Sequence, residues 1–131
     1  MPLYIARDGI WHWQDKVHKL AADNEVNPTR LTRSADGVTV ESNTRTTKID
    51  FAFPIVHGTA GEDGALQGFF EVMGLPYAGS GVATSAVCMD KAHMRALFAV
   101  NQIPQVKYFV IEGAATASAA EIDRRISAEF S

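Results

Sequence analysis

Residues 49–68 read IDFAFPIVHGTAGEDGALQG, and this stretch decides how the rest of the chain is interpreted. Positions 49–56 are almost continuously apolar, which is typical of a β-strand covered on both faces. Pro54 has no amide proton, so it is expected near an edge or an end of the sheet. A glycine-rich turn follows, and then apolar residues at helical spacing, namely Leu66, Phe69, Phe70 and Met73. The stretch therefore predicts a strand, a loop and a helix, and the helix should end at Gly74 before Pro76.

The sequence on either side alternates short extended and helical segments. Extended segments are predicted at residues 3–6, with a turn at Asp8 and Gly9, and at 38–40, 76–78 and 106–111. Helices are predicted at 14–24, at 82–101 with a break near Asp90, and from Ser118 onward. Glu62 and Asp63 are expected in the first turn of the helix that follows position 64. Residues 27–36 and 42–48 are expected to be irregular.

Strands that alternate with helices favour an α/β fold with a doubly wound, mostly parallel sheet. In such folds ligands bind beyond the carboxyl ends of the strands. This rule points to the loops at residues 57–64 and 79–81. Ligand-contacting residues are therefore expected in these two loops.

Composition and charge exclude several classes of protein. The chain has 131 residues, with 12 basic and 15 acidic side chains and a net charge of −3. That length suits one domain, and the mild negative charge argues against a nucleic-acid or membrane-surface binder. Cys88 has no second cysteine to pair with, and no targeting or membrane-spanning stretch is visible. A cytoplasmic protein is therefore expected.

Two common kinds of cofactor site find little support in the sequence. The four histidines do not pair with further ligands at zinc spacing, so no metal site is expected. The loop from Gly79 to Gly81 begins a dinucleotide-binding pattern, but Thr84 stands where that pattern needs its third glycine. A tight turn is the favoured interpretation, and a dinucleotide-binding enzyme remains only as a third hypothesis.

Two side chains are candidates for ligand contact on physical grounds. His57 ends the predicted buried strand and precedes Gly58, so its imidazole can donate to or accept from a polar substrate. A histidine satisfied by a backbone neighbour explains that position about equally well. If Asp90 caps a helix, Lys91 lies in the first turn, where a cation is unfavourable unless an anion such as phosphate is bound. A solvated lysine is the simpler alternative there, and the residues alone favour it.

The loop and its surroundings resemble a known family. Residues 57–68 match the first signature of the D-alanine–D-alanine ligases throughout, and residues 74–81, 85–91 and 103–111 follow the same family closely. The strong part of the resemblance covers residues 49–111, while residues 7–11 resemble the family's second strand and its turn. A twelve-residue pattern with four glycines, a histidine, a glutamate and an aspartate is highly specific.

The resemblance implies the N-terminal, substrate-side domain of an ATP-grasp ligase. Such an enzyme activates one D-alanine as an acyl phosphate and joins it to a second D-alanine for peptidoglycan synthesis, using ATP and Mg²⁺. The site residues that it implies are His57 and Gly58 near the amino acid, Gly61, Glu62, Asp63 and Gly64 in the signature loop, and Lys91 near the ATP phosphates. A lysine there can neutralise the charge of the transferring phosphoryl group.

The chain also departs from the family pattern. Relatives have a first strand–helix unit with a substrate-holding glutamate, which nothing before Leu3 matches, and they continue into ATP-grasp domains. We therefore expect residues 1–111 to be an N-terminal domain without that unit, and residues 112–131 to lead toward a central domain. The isolated chain is predicted to be inactive and to expose an unpaired sheet edge.

The partners that the resemblance implies are D-alanine and the ATP-grasp domains, supplied in cis or in trans, with a homodimer also expected. Neither nucleic acid nor a membrane is expected as a partner. Two alternatives stay open. The chain could be a non-catalytic assembly or binding module that works through its sheet edge, or part of a ligase for D-alanine and D-lactate or D-serine.

Overall fold

The structure, a computed structural model, describes residues 2–7, 9–13, 28–111 and 117–130. Its elements in chain order are β1 (Leu3–Ile5), β2 (Trp11–Trp13), β3 (Pro28–Ser34), β4 (Gly37–Ser42), β5 (Thr46–Ile49), α1 (Ala65–Met73), α2 (Val82–Met89), α3 (Lys91–Val100) and α4 (Ala119–Phe130). A sheet followed by helices agrees with the predicted α/β class. The chain divides into two compact units, residues 1–85 and 86–131.

The sheet contains β1 to β5 in chain order, and each strand is antiparallel to its neighbour. The prediction of a mostly parallel sheet is therefore wrong for the described residues. Antiparallel neighbours need only a tight turn between them, whereas parallel neighbours need a long crossover. Residues 35–36 alone connect β3 to β4, and residues 43–45 connect β4 to β5. Connections this short leave no room for a helix between these strands.

The predicted hairpin near the start of the chain is confirmed. Leu3 lies opposite Trp13, and Ile5 lies opposite Trp11. Gly9 has a φ of 83°, and its N–H donates to the carbonyl oxygen of Ala6 at 2.9 Å. Glycine adopts such a positive φ without steric cost, which explains its place in the turn. The helix predicted at residues 14–24 lies outside the described residues.

Two stretches that were expected to be irregular form strands. Residues 28–34 are β3, and the polar residues 46–48 form β5 together with Ile49 of the apolar run. Both strands pair with β4, which completes their backbone hydrogen bonds. The polar composition of either segment does not by itself predict a strand. β4 was expected to be a minor strand, yet its Val38 and Val40 are only 3% and 0% exposed. The strand with the most deeply buried side chains therefore lies between β3 and β5 in the sheet.

The apolar run at residues 49–56 is not a strand covered on both faces. Within it, residue 52 makes one isolated parallel bridge, to Tyr77. Ala52 and Val56 pack against the core, whereas Phe51, Phe53 and Ile55 are 57%, 73% and 78% exposed. The run therefore alternates between a packed face and an uncovered apolar face. Phe51, Phe53 and Ile55 are called the apolar row below.

The core of the first unit joins the sheet to α1. Its buried members are Val38, Leu66, Phe70 and Leu75. Leu66 and Phe70 are four residues apart and so share one face of α1. The helix ends at Gly74 as predicted, because that glycine takes a φ of 62° and its N–H donates to the carbonyl of Glu71. The N–H of Leu75 then donates to the carbonyl of Phe70, which completes the cap.

The second unit confirms two predicted helix starts. Oδ1 of Asp90 accepts hydrogen bonds from the N–H groups of Ala92 and His93 at 2.9 and 3.1 Å, so α3 begins just after it. Oγ of Ser118 accepts from the N–H of Glu121 at 3.3 Å, at the start of α4. The strand predicted at residues 106–111 is wrong, since residues 103–111 have no regular secondary structure. None of the described strands pairs with them.

The apolar row should promote association between chains, because solvent-exposed apolar rows favour burial against another surface. We expect Phe53→Thr to lower the mass-average size of the purified chain measured by sedimentation velocity. Val72→Thr is the matched control, since Val72 is 75% exposed but lies on α1 outside the row. An unchanged size in Phe53→Thr, or an equal decrease in both variants, would contradict this prediction.

Candidate functional site

The candidate site begins at His57, where the extended segment turns into the signature loop of residues 57–64. The His57 side chain is 85% exposed. Gly58 has a φ of 78°, and a Cβ at that position would meet no atom within 4 Å. The backbone therefore bends sharply here in open space. A ligand could approach both the imidazole and the Gly58 backbone closely.

Glu62 closes the loop by two hydrogen bonds with Gly58, one accepted by its side chain and one donated by its backbone. The Gly58 N–H donates to Oε2 of Glu62 at 2.6 Å, and the Glu62 N–H donates to the carbonyl oxygen of Gly58 at 2.9 Å. Oε1 of the same carboxylate lies 3.4 Å from Nδ1 of His57. Hydrogen bonds from an N–H to an ionised carboxylate are short and strong. The carboxylate is therefore held beside the imidazole ring.

Asp63 braces the second half of the loop. Its Oδ2 accepts from the N–H of Ala60 at 2.8 Å, and its Oδ1 accepts from the N–H of Ala65 at 3.1 Å. These donors, Ala60 first and then Ala65, lower the pKa of Asp63 below its usual value. The prediction that Glu62 and Asp63 lie in the first helical turn is wrong, because α1 begins at Ala65. Both carboxylates organise the loop before the helix.

Two glycines of the loop are required by space. A Cβ on Gly61 would lie 2.8 Å from Cγ2 of Val56, and a Cβ on Gly64 would lie 2.8 Å from the carbonyl oxygen of Val82. Gly64 also has a φ of 94°, which L side chains rarely adopt. The inner side of the loop therefore packs directly against Val56 and Val82. Its opposite, outer side carries the exposed imidazole.

Sequence reasoning missed Gln67, which ties the loop to the core. Its amide nitrogen Nε2 donates to the carbonyl oxygen of Gly61 at 3.0 Å, and the residue is 7% exposed. Burying an amide costs free energy unless it is hydrogen-bonded, and the bond to Gly61 offsets that cost for the amide nitrogen. A glutamine on the apolar face of a predicted helix, between Leu66 and Phe70, was the available signal.

Lys91 opens α3 in the second unit, as predicted, and its side chain lies on the surface. Its Nζ donates to the carbonyl oxygen of Cys88 at 3.3 Å. Asp90 already accepts from the first free N–H groups of the helix, and Nδ1 of His93 lies 2.9 Å from its Oδ2. These bonds, led by the His93 N–H and then its ring, lower the pKa of Asp90. An anion would therefore meet the Lys91 ammonium rather than free backbone amides.

The two predicted contact residues, His57 and Lys91, belong to different compact units. The contacts that the resemblance implies for them, with the amino acid and with the ATP phosphates, stay predictions. Within residues 2–7, 9–13, 28–111 and 117–130, no group of three or more His, Cys, Asp or Glu side chains could hold a metal ion. That part of the chain also contains no helix of the length and apolar character needed to cross a membrane. A polar cleft of about 330 Å³ is lined by none of the predicted site residues, but by Pro28, Thr29, Arg30, Glu41, Ser42 and Asn43.

Comparison with known proteins identifies the loop's family. Residues 1–80 match the family model described as "D-ala D-ala ligase N-terminus". The chain belongs to the D-alanine–D-alanine ligase N-terminal domain family. The matched residues include the loop at residues 57–64.

Relatives of this ligase domain are considerably longer. It is similar to the D-alanine–D-alanine ligase of Caldicellulosiruptor bescii, with 36% identity over 100% of this chain and 38% of the relative. The ligase of Staphylococcus haemolyticus is 35% identical over 81% of this chain and 30% of the relative. The chain thus spans less than two fifths of the length of either relative.

Solved structures of ligases resemble this domain in fold. The D-alanine–D-alanine ligase of Coxiella burnetii matches with a TM-score of 0.77 and 29% identity, over 98% of this chain and 38% of that one. The VanG D-Ala:D-Ser ligase of Enterococcus faecalis matches with a TM-score of 0.69 and 29% identity, over 99% of this chain and 39% of that one. Each match covers nearly all of this chain but less than two fifths of the solved ligase chain.

The pKa of Asp63 makes the stability of the ligase domain depend on pH. Because that pKa is lowered on folding, the stabilisation is present above the unfolded value, near 3.8, and is lost as the pH falls through the folded value. We expect Asp63→Asn to lower the thermal midpoint at pH 7, with the difference from wild type shrinking as the pH falls below the unfolded value. Thermal unfolding followed by circular dichroism from pH 7 to pH 3 measures this.

Asp50→Asn is the control for that series, since Asp50 is an exposed carboxylate outside the signature loop. A constant difference between wild type and Asp63→Asn at every pH would contradict the assignment. So would an equal loss of stability in the Asp50 variant.

Proposed function

We propose that this chain is the substrate-side part of a D-alanine–D-alanine ligase. The complete enzyme would join two D-alanines through an acyl phosphate, at the expense of ATP, for peptidoglycan synthesis in the cytoplasm. The observation that carries this proposal is the closed signature loop. His57 is exposed at its start, and the Glu62 carboxylate accepts a hydrogen bond from the Gly58 N–H. Membership of the ligase N-terminal family supports it.

His57 and Gly58 would contact the D-alanine. An exposed imidazole can exchange a hydrogen bond with an ammonium or a carboxylate. The free space around Gly58 lets a small amino acid approach the backbone closely. Gly61, Glu62, Asp63 and Gly64 would hold these two residues in place, through the contacts described above, rather than react themselves.

Lys91 would contact the phosphates of ATP. Its ammonium is a compact point charge on a flexible stem, and it lies on the surface beside the start of α3. ATP, when bound, supplies the phosphoryl group that activates the carboxylate of D-alanine. Among the described residues, no group of His, Cys, Asp or Glu side chains could hold Mg²⁺. The magnesium ligands and the rest of the nucleotide site would therefore come from ATP-grasp domains, in cis or in trans.

A second candidate function concerns the second substrate. The similarity to the VanG D-Ala:D-Ser ligase, at 29% identity, is as high in identity as that to the Coxiella burnetii ligase. The chain could therefore belong to a ligase that joins D-alanine to D-serine or D-lactate. The alternative of a non-catalytic assembly module is favoured by the apolar row, which leaves a surface available for a partner or a second copy.

The isolated chain should be catalytically inactive, because its described residues include no group of His, Cys, Asp or Glu side chains that could hold Mg²⁺. We expect no phosphate release from ATP above background when the purified chain is incubated with D-alanine and Mg²⁺. A full-length ligase assayed in parallel is the positive control. Sustained phosphate release by the chain alone would show that the prediction is wrong.

In an enzyme completed with ATP-grasp domains, the two contact residues should affect different substrates. We expect His57→Ala to raise the KM for D-alanine and Lys91→Ala to raise the KM for ATP, each by about tenfold or more, since a lost contact to a charged group costs roughly 1.5–3 kcal/mol. Steady-state kinetics with each substrate varied in turn measures the two constants.

His12→Ala and Lys107→Ala are the matched controls for this experiment, because both residues lie outside the signature loop and the start of α3. They should leave both constants within about twofold of wild type, as expected for substitutions that remove no substrate contact. The assignment of the two site residues would be refuted if His57→Ala and Lys91→Ala raised both constants equally.

A further inference from the structure

The Glu62 carboxylate bridges the backbone and the imidazole at the mouth of the signature loop. One oxygen accepts the Gly58 N–H at 2.6 Å, and the other lies 3.4 Å from Nδ1 of His57. The geometry points to Glu62 as a positioning residue that keeps the proton of the neutral His57 ring on Nδ1. Nε2 of that ring is then a hydrogen-bond acceptor on the open side of the loop.

The direction of this bond follows from the chemistry of the two groups. An ionised carboxylate can only accept hydrogen bonds, so a neutral imidazole beside it must donate from the nearer nitrogen. Which nitrogen of a histidine carries the proton is set by the bond that the other makes. A free imidazole ring in water favours the proton on Nε2. The Glu62 contact therefore favours the tautomer that water disfavours.

Glu62 can impose this preference, although both side chains are exposed, because its carboxylate is already anchored. The short bond from Gly58 and the return bond from the Glu62 N–H to the Gly58 carbonyl, at 2.9 Å, fix both ends of the residue. His57 is the residue next to Gly58 in the chain. The carboxylate is thus held near Nδ1 by local geometry, and the ion pair itself needs to contribute little.

The neighbouring carboxylate does not compete for this role. Both oxygens of Asp63 accept from the N–H groups of Ala60 and Ala65. Of the described carboxylates, Glu62 is the one within 4 Å of the His57 ring nitrogens. Asp63 therefore provides a matched control in the same loop, because it braces the backbone and does not contact the ring.

The inferred tautomer adds detail to the proposed function. Only the identity of the ligand rests on that proposed function. An acceptor at Nε2 suits a donor such as the ammonium group of an amino acid, whereas a protonated ring would suit a carboxylate. His57 would therefore contact the amino end of D-alanine. The protonation state itself is a property of the chain without any ligand.

The test is long-range ¹H–¹⁵N correlation NMR of the ligand-free chain, with ¹⁵N-labelled histidine and a pH above the histidine titration. The His57 signals are assigned from their loss in His57→Ala. In wild type we expect the ¹⁵N shifts of a ring protonated on Nδ1. In Glu62→Gln, whose amide no longer carries the charge, we expect the Nδ1-protonated fraction to fall at least twofold. Asp63→Asn should leave it unchanged.

A wild-type spectrum in which His57 carries its proton mainly on Nε2 would overturn the inference, and this measurement needs no variant to fold. An equal shift in Glu62→Gln and Asp63→Asn would also overturn it, because the effect would then come from the loop as a whole. Neither result involves D-alanine, so failure of this inference is distinguishable from failure of the proposed function, which the kinetic constants test.

Discussion

The hydrogen bond from the Gly58 N–H to the Glu62 carboxylate, at 2.6 Å, is the contact on which the candidate site depends. It closes the loop immediately after the extended segment and holds a charge beside the His57 ring. Gly61 and Gly64 allow the same loop to rest against Val56 and Val82 without a side chain between them. The Glu62 carboxylate thus holds the loop closed by a hydrogen bond, and close packing of its glycines supports it from beneath.

The core beneath this loop is small and comes from distant parts of the chain. Val38 of β4 lies with Leu66 and Phe70 of α1 in one buried cluster. Gln67, between those two helical residues, carries the only buried amide contact that reaches the loop among the hydrogen bonds of the described residues. The helix that builds the core therefore also positions the loop, so packing and the geometry of the site are coupled.

Features that depend on neighbouring residues in the chain were predictable. The turn glycine at position 9, the end of α1 at Gly74 and the starts of α3 and α4 at Asp90 and Ser118 each use a hydrogen bond within a few residues. Such bonds require specific residue types at fixed spacing, which is why sequence patterns indicate them. The role of Gln67 depends on burial as well, and its spacing alone did not reveal it.

The amino-acid sequence by itself determined the family, the signature loop and the local caps, because these depend on residue identity at fixed spacing. Only the tertiary structure decided that the sheet is antiparallel, that residues 28–34 and 46–49 are strands, and that alternate positions of the apolar run face solvent. Strand pairing and burial join residues far apart in the chain. A segment's own composition cannot specify the partner that completes its hydrogen bonds or covers its face.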